Sequence, residues 1–350
     1  MNNYKLEKRL LELVPYEPTL GNFRIRLDAN ELYTAPQFNA NELQNLLSSL
    51  QLNRYPDPTC RELNLAFAKR HAIDPALVMS GNGSDELIAL IIELFLSDNM
   101  SILSLQPDFS MYGFYAYLRR ARNISFNKDQ NFNIDIDALI QTIKNEKPKI
   151  VIFSNPCNPT GKVILAGDVL NIVKNSGCIV VVDEAYMDFS NQSIIREVSS
   201  YPNLIVLKTL SKAYGAAALR LGFAVANADI TRLLSAAKSP FNINAISQAL
   251  GREILNNGVI TDQRIREVLN LKTSLFDELS QLKTVFGQSF EPIPSVTNFI
   301  YVKTDVASQI YDKLKDDGII IRRLPQNAIR ITVGSEYENN ELLNTLRSIS

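Results

Sequence analysis

The chain has 350 residues, 46% of them hydrophobic and 21% charged, with a formal net charge of -1. That length exceeds one small core and predicts a large domain with a smaller one. The balanced charge offers no global field to draw nucleic acid or a membrane surface.

In chain order, the opening residues mix charges among apolar positions, unlike a signal peptide. His71, the one histidine, lies in a helical pattern, A-K-R-H-A, and reads as solvent-facing. With a single histidine, Ser-His-Asp, Cys-His and His-metal chemistries are nearly excluded. Acid-base work then falls to Lys, Asp, Glu or Tyr, or to a cofactor. A helix is predicted over Glu86–Phe95. The apolar stretch around it, Leu87 to Leu96, is broken by Glu93 and is too short to cross a bilayer. Strands follow at Ile102–Leu105, Lys149–Ser154, Cys178–Asp183, Leu204–Lys208 and Phe223–Ala226, with a helix at Leu165–Lys174. These strands are mostly continuous apolar runs, as in a sheet buried on both faces. The pattern predicts an α/β domain with a mostly parallel sheet flanked by helices. A long helical pattern, Asn244 to Lys283, then leads to strands at Asn298–Val302 and Ile329–Thr332 with a helix at Ala307–Asp316, which reads as a smaller α+β domain. Cys60, Cys157 and Cys178 form neither a disulfide framework nor a zinc spacing, so a reducing cytoplasm fits best.

Ligand sites in an open parallel sheet lie outside the carboxyl ends of its strands, and the unusual residues cluster there. Gly81-Asn82-Gly83-Ser84-Asp85-Glu86 precedes an apolar helix, with Ser84 as the expected N-cap; free amides at a helix start suit an anion. The bland reading is a capped turn. Asp183, at the end of an apolar strand, needs a partner if buried, and a pyridinium nitrogen is one; Tyr186 is within reach of the same ligand. The alternative is an Asp capping the next turn. Lys212, in Thr209-Leu210-Ser211-Lys212, follows a strand end between small residues, where partial desolvation makes a lysine a usable nucleophile. Arg220 adds charge for a phosphate. Singly, both read as surface charges. Ser154-Asn155-Pro156-Cys157-Asn158-Pro159-Thr160-Gly161 alone is a turn. Phosphate loop, N-P-T-G turn, strand-end Asp and Ser-Lys nevertheless come in that order along one α/β domain, which independent accidents rarely produce.

On these residues the chain resembles the fold-type I pyridoxal-phosphate aminotransferases. The resemblance also includes Asp28-Ala29-Asn30-Glu31, Arg54-Tyr55-Pro56-Asp57-Pro58, Ser110-Met111-Tyr112, Leu219-Arg220-Leu221-Gly222, Thr297-Asn298-Phe299 and Ile329–Gly334. It implies pyridoxal 5'-phosphate held as a Schiff base on Lys212, with Asp183 on the ring nitrogen and Asn158 and Tyr186 on the phenolic oxygen. Gly83, Ser84, Asp85, Ser211 and Arg220 would surround the phosphate, and Phe109 would stack on the ring where the family usually has tyrosine. Tyr55 would reach the neighbouring subunit's phosphate, implying a homodimer with shared sites. Arg330, Arg322, Asn30 and Tyr16 would meet the substrate. The organisation implied is an N-terminal arm, 1–35, joining the small domain, a large cofactor-binding domain, 36–250, and a small domain, 251–350. The expected reaction is amino transfer from histidinol phosphate, with 2-oxoglutarate or glutamate as partner. Related alternatives are phosphothreonine decarboxylation, aromatic amino acid transfer, and a non-catalytic sensor; the last needs a DNA-binding module, for which the arm before Asp28 is too short. Three departures lie near the expected substrate pocket: Leu32-Tyr33 after Asn30-Glu31, a short Arg322 to Arg330 segment, and Lys238-Ser239-Pro240-Phe241-Asn242 in place of Arg-x-Pro-Tyr-Asn.

Overall fold

The computed structural model describes residues 5–15 and 19–349. Its strands, in chain order, are β1 (Ile25–Leu27), β2 (Val78–Asn82), β3 (Ser101–Gln106), β4 (Arg122–Asn127), β5 (Ile150–Ser154), β6 (Ile179–Asp183), β7 (Leu204–Thr209), β8 (Leu221–Ala226), β9 (Glu291–Ile293), β10 (Phe299–Lys303), β11 (Ile319–Leu324) and β12 (Ala328–Thr332). Seven form one sheet in the order β2-β8-β7-β6-β5-β3-β4, and five form a second in the order β1-β11-β12-β10-β9.

The apolar runs explain the large sheet. Successive side chains of a strand point to opposite faces. Val180, Val182 and Val206 accordingly join one core cluster, while Val181, Ile205 and Leu207 join another on the far face. Helices cover both. The helix Ser84–Phe95 buries Leu87, Ile88, Ile91 and Ile92, and the helix Ala166–Ser176 buries Val169, Ile172 and Val173, each at the 3–4 residue spacing of one helical face.

Four features depart from the sequence reading. The strand β8 runs antiparallel to both β7 and β2, so one member of the mostly parallel sheet is reversed. The pattern from Asn244 to Lys283 is two main helices, Ala245–Asn256 and Gly258–Gln281, broken at Asn257 (φ -92°, ψ 42°) and followed by a short turn of helix, Lys283–Phe286. The break falls where Gly258 lies against Arg70: a Cβ there would come within 2.9 Å of its Nη1. Ser84 begins its helix rather than capping it; the cap position is Gly83, whose φ of 85° an L-residue rarely adopts. His71 is not solvent-facing. Its ring packs on Phe67 (4.4 Å between centroids), its Nε2 is buried without a hydrogen-bond partner, and burial, with Lys208 nearby, pushes its pKa down to about 4.

Candidate active site

The carboxyl ends of β5, β6 and β7 stand side by side. Ser154 and Asp183 are register partners, as are Asp183 and Leu207. The turn carrying Asn158 leaves β5, Asp183 ends β6, and Lys212 follows β7 by three residues. The glycine loop also leaves a strand, β2, whose V-M-S-G-N sequence hides it within the turn signal.

Asp183 is buried, 4% exposed, with both oxygens engaged. Its Oδ2 accepts from the Tyr112 hydroxyl at 2.9 Å and its Oδ1 from the Ala185 amide at 3.1 Å. Burial pushes the carboxyl pKa up to about 7; the two hydrogen bonds oppose that rise, and the negative Asp108 and Asp85 add to it. Lys212 Nζ donates to the Ala29 carbonyl at 2.9 Å and lies 5.7 Å from the Tyr186 ring centroid. Tyr186 is buried, and its hydroxyl accepts from Asn30 Nδ2 at 2.8 Å. Asn30, at φ 55°, is held by Thr332, whose hydroxyl meets both the Asn30 amide (3.0 Å) and its Oδ1 (3.2 Å). Asn158 Oδ1 accepts from Arg330 Nη1 at 2.5 Å, and Arg330 Nη2 donates to the Asp28 carbonyl at 2.7 Å. Residues 28–30, just past β1, thus touch Lys212, Tyr186 and Arg330 and join the two sheets at the site.

The second half is built for an anion. Gly83 stands at the start of the helix Ser84–Phe95, whose first amides and dipole favour negative charge. The Thr209 hydroxyl donates to Ser211 Oγ at 3.0 Å, and Arg220 Nη1 lies 3.5 Å from the same oxygen. Arg220 Nη2 is 3.7 Å from Asp85. The cradle depends on absent side chains. A Cβ on Gly83 would fall 2.6 Å from Arg220 Nη2, and one on Gly222 would fall 2.5 Å from the Ser84 nitrogen.

Other expected residues are spread more widely. Phe109 is edge-on to Tyr112, 5.5 Å between centroids. Tyr55 is 81% exposed and stacks on Phe241 at 4.6 Å. Arg322 is the register partner of Arg330, so both share a face of the small sheet, whereas Arg323 faces away and donates to Ser308 Oγ at 3.0 Å. Tyr16 lies outside the described residues. The sequence reading assigned no role to Tyr112 or Thr332. Thr332 was accessible to it, since Arg330 and Thr332 are two apart on one strand and must share a face; Tyr112 had no such signal.

An open, mostly parallel sheet with an acid, an amine and an anion cradle at its strand ends defines an α/β enzyme of group-transfer chemistry. The family model for aminotransferase class I and II matches residues 24–346. The histidinol-phosphate aminotransferase of Clostridium novyi (strain NT) is 39% identical over 345 residues, covering 97% of this chain and 96% of the relative. That of Thermoanaerobacter pseudethanolicus is 38% identical over 340 residues, 95% of each chain. Among solved structures, histidinol-phosphate aminotransferase from Sinorhizobium meliloti in complex with pyridoxal-5'-phosphate superposes with a TM-score of 0.87 at 22% identity, covering 99% of this chain and 98% of that one. The chain belongs to the class I and II aminotransferases; it is an enzyme, and pyridoxal 5'-phosphate is its cofactor.

The residues present fit that group. Asp183 is a carboxylate too buried to remain charged cheaply without a cationic partner, and a pyridinium is one. The glycine cradle with Ser211 and Arg220 suits a phosphate. Among the described residues no cluster of His, Cys, Asp or Glu is placed to hold a metal ion, and no helix is long and apolar enough to cross a membrane.

Proposed function

We propose that this chain transfers the amino group of histidinol phosphate to 2-oxoglutarate, as a cytoplasmic homodimer with shared sites. The observation that carries the substrate is the likeness, over nearly the whole of both chains, to relatives named histidinol-phosphate aminotransferase, at 36–39% identity. Lys212 is the covalent anchor and the base that moves the proton at the substrate carbon. Asp183 holds the ring nitrogen protonated. Asn158 and Tyr186 address the phenolic oxygen, and Tyr186 is free to donate there because its hydroxyl already accepts from Asn30. Gly83, Ser84, Asp85, Ser211 and Arg220 surround the phosphate, Phe109 lines the ring, and the partner's copy of the exposed tyrosine at position 55 completes the site. Bound here, the cofactor supplies a carbonyl carbon for the substrate amine and a ring that accepts the electron pair left at the substrate carbon. Arg322 and Arg330, on one face, receive the anionic end of the substrate.

The test compares histidinol phosphate with dephosphorylated histidinol, each with 2-oxoglutarate. Loss of a charge-assisted bidentate pair should lower kcat/KM by roughly two orders of magnitude. Equal rates would remove the phosphate from the assignment, and carbon dioxide release without amino transfer would show a decarboxylase.

A further inference from the structure

The Tyr112 ring is among the largest fully buried side chains, and it lies on the face of the large sheet that carries Val181 and Leu207. Its hydroxyl reaches Asp183 Oδ2 at 2.9 Å from the helix Met111–Leu118. Against a carboxylate, a phenol in this place can only donate. Burial, followed by Asp183 and Asp108, raises its pKa well above the ordinary tyrosine value, so it keeps its proton throughout the working range. The other carboxylate oxygen is taken by the Ala185 amide. Both Asp183 oxygens therefore already accept a donor. Both hydrogen bonds favour the charged form, and a charged carboxylate retains lone pairs on both oxygens for a further N–H, whereas a neutral carboxyl gives up one of those acceptor sites to its own proton.

We infer that Tyr112 is a positioning residue acting through Asp183: its hydroxyl holds that carboxylate charged and aims its free lone pairs at the cofactor ring. This rests on the reading of Asp183 as the partner of the ring nitrogen. The other charges acting on Asp183 are Asp108 and Asp85, both of which raise its affinity for a proton. Lys128, 3.8 Å from Asp108, offsets the first. Asp183 and Tyr112 are 71 residues apart, so the pairing exists only in the folded chain. Phe109, three residues before Tyr112 and edge-on to it, shares the same support, which places ring stacking and ring protonation on one short segment.

The experiment measures affinity of the cofactor-free protein for pyridoxal 5'-phosphate as a function of pH, alongside the visible absorbance of the loaded protein. Tyr112→Phe keeps the ring and removes the donor. Its acid limb should move up by about one pH unit relative to wild type, roughly a tenfold weaker binding on the acid side, and affinities should converge at alkaline pH. In an Asp183→Asn background the same substitution should leave the profile unmoved, because the titrating partner is gone. 3-Fluorotyrosine at position 112, a stronger donor of the same shape, should move the limb the other way, which keeps the test decisive even if Tyr112→Phe folds poorly. A uniform loss at every pH, or an equal shift in the Asp183→Asn background, would reduce Tyr112 to packing and overturn the inference. Failure of the wild-type protein to take up the cofactor would overturn the Asp183 reading as well, whereas normal uptake with an unmoved limb overturns the inference alone.

Discussion

Replacing Asp183 by Asn should stabilise the cofactor-free protein at alkaline pH while destroying catalysis. Asn is nearly isosteric, accepts one of the two existing hydrogen bonds and never ionises. The folded-state pKa of Asp183 lies at about 7, above the ordinary 3.8, because burial penalises the charge. Its contribution to stability is therefore fully present below the unfolded value and is lost progressively as pH rises through the folded one. A rise of about three pH units corresponds to roughly 4 kcal/mol in all, of which roughly 3 kcal/mol is lost between about pH 5 and about pH 8.5. Urea unfolding of cofactor-free wild type and Asp183→Asn at these two pH values gives the difference directly. The wild type should lose about that amount relative to the variant, whose profile should be flat in this respect. Adding pyridoxal 5'-phosphate should reverse the ranking, because only the carboxylate gains a cationic partner. Parallel profiles for the two proteins would show that the buried carboxylate carries no charge penalty, and the electrostatic account of the site would fail.

Three further outcomes follow from particular contacts. Gly222→Ala places a Cβ 2.5 Å from the Ser84 nitrogen and from the Gly83 carbonyl carbon, backbone atoms that must then shift, so the melting temperature should drop and cofactor affinity should fall by more than tenfold; unchanged affinity by fluorescence titration would refute the cradle. His71 has the opposite linkage to Asp183: its folded pKa of about 4 lies below the ordinary 6.5, so stability is present above 6.5 and drops, by up to roughly 3 kcal/mol, as pH falls toward 4. His71→Gln should abolish that slope in acid denaturation, and an unaltered slope would place the ring in water. Mixing inactive Lys212→Ala and Tyr55→Ala subunits should restore activity, since both lesions fall in one site of the heterodimer; the check is a turnover assay after co-refolding, and a fully active monomer by sedimentation would end the shared-site proposal.

Much of this protein was legible in one dimension because its chemistry follows strand ends. β5, β6 and β7 are continuous apolar runs, and a continuous run buried on both faces needs no tertiary information to be recognised. The residues that interrupt such runs, Asp183 at one exit and the Ser-Lys pair after another, stand out because polar groups there demand a partner. The N-P-T-G and glycine turns carry their own backbone signature. Weak strands were lost for equally local reasons: β2 is masked by Gly81 and the glycine turn that follows it, and β4 is an edge strand whose side chains alternate between part-buried and exposed positions.

What the sequence left open is everything that depends on distant segments meeting. Nothing local predicts that β8 enters the sheet reversed, because strand direction is set by its partners. Nothing local places Tyr112 on Asp183, Asn30 on Tyr186, or Arg330 between Asn158 and the Asp28 carbonyl, contacts that span 71, 156, 172 and 302 residues. His71 sits in an amphipathic pattern that suggests water, and it is half-buried, with its Nε2 wholly enclosed, because other elements pack over that helix. Periodicity reports which face of an element is apolar. The neighbour that covers the other face, and hence the charge state of the group on it, is decided by packing alone.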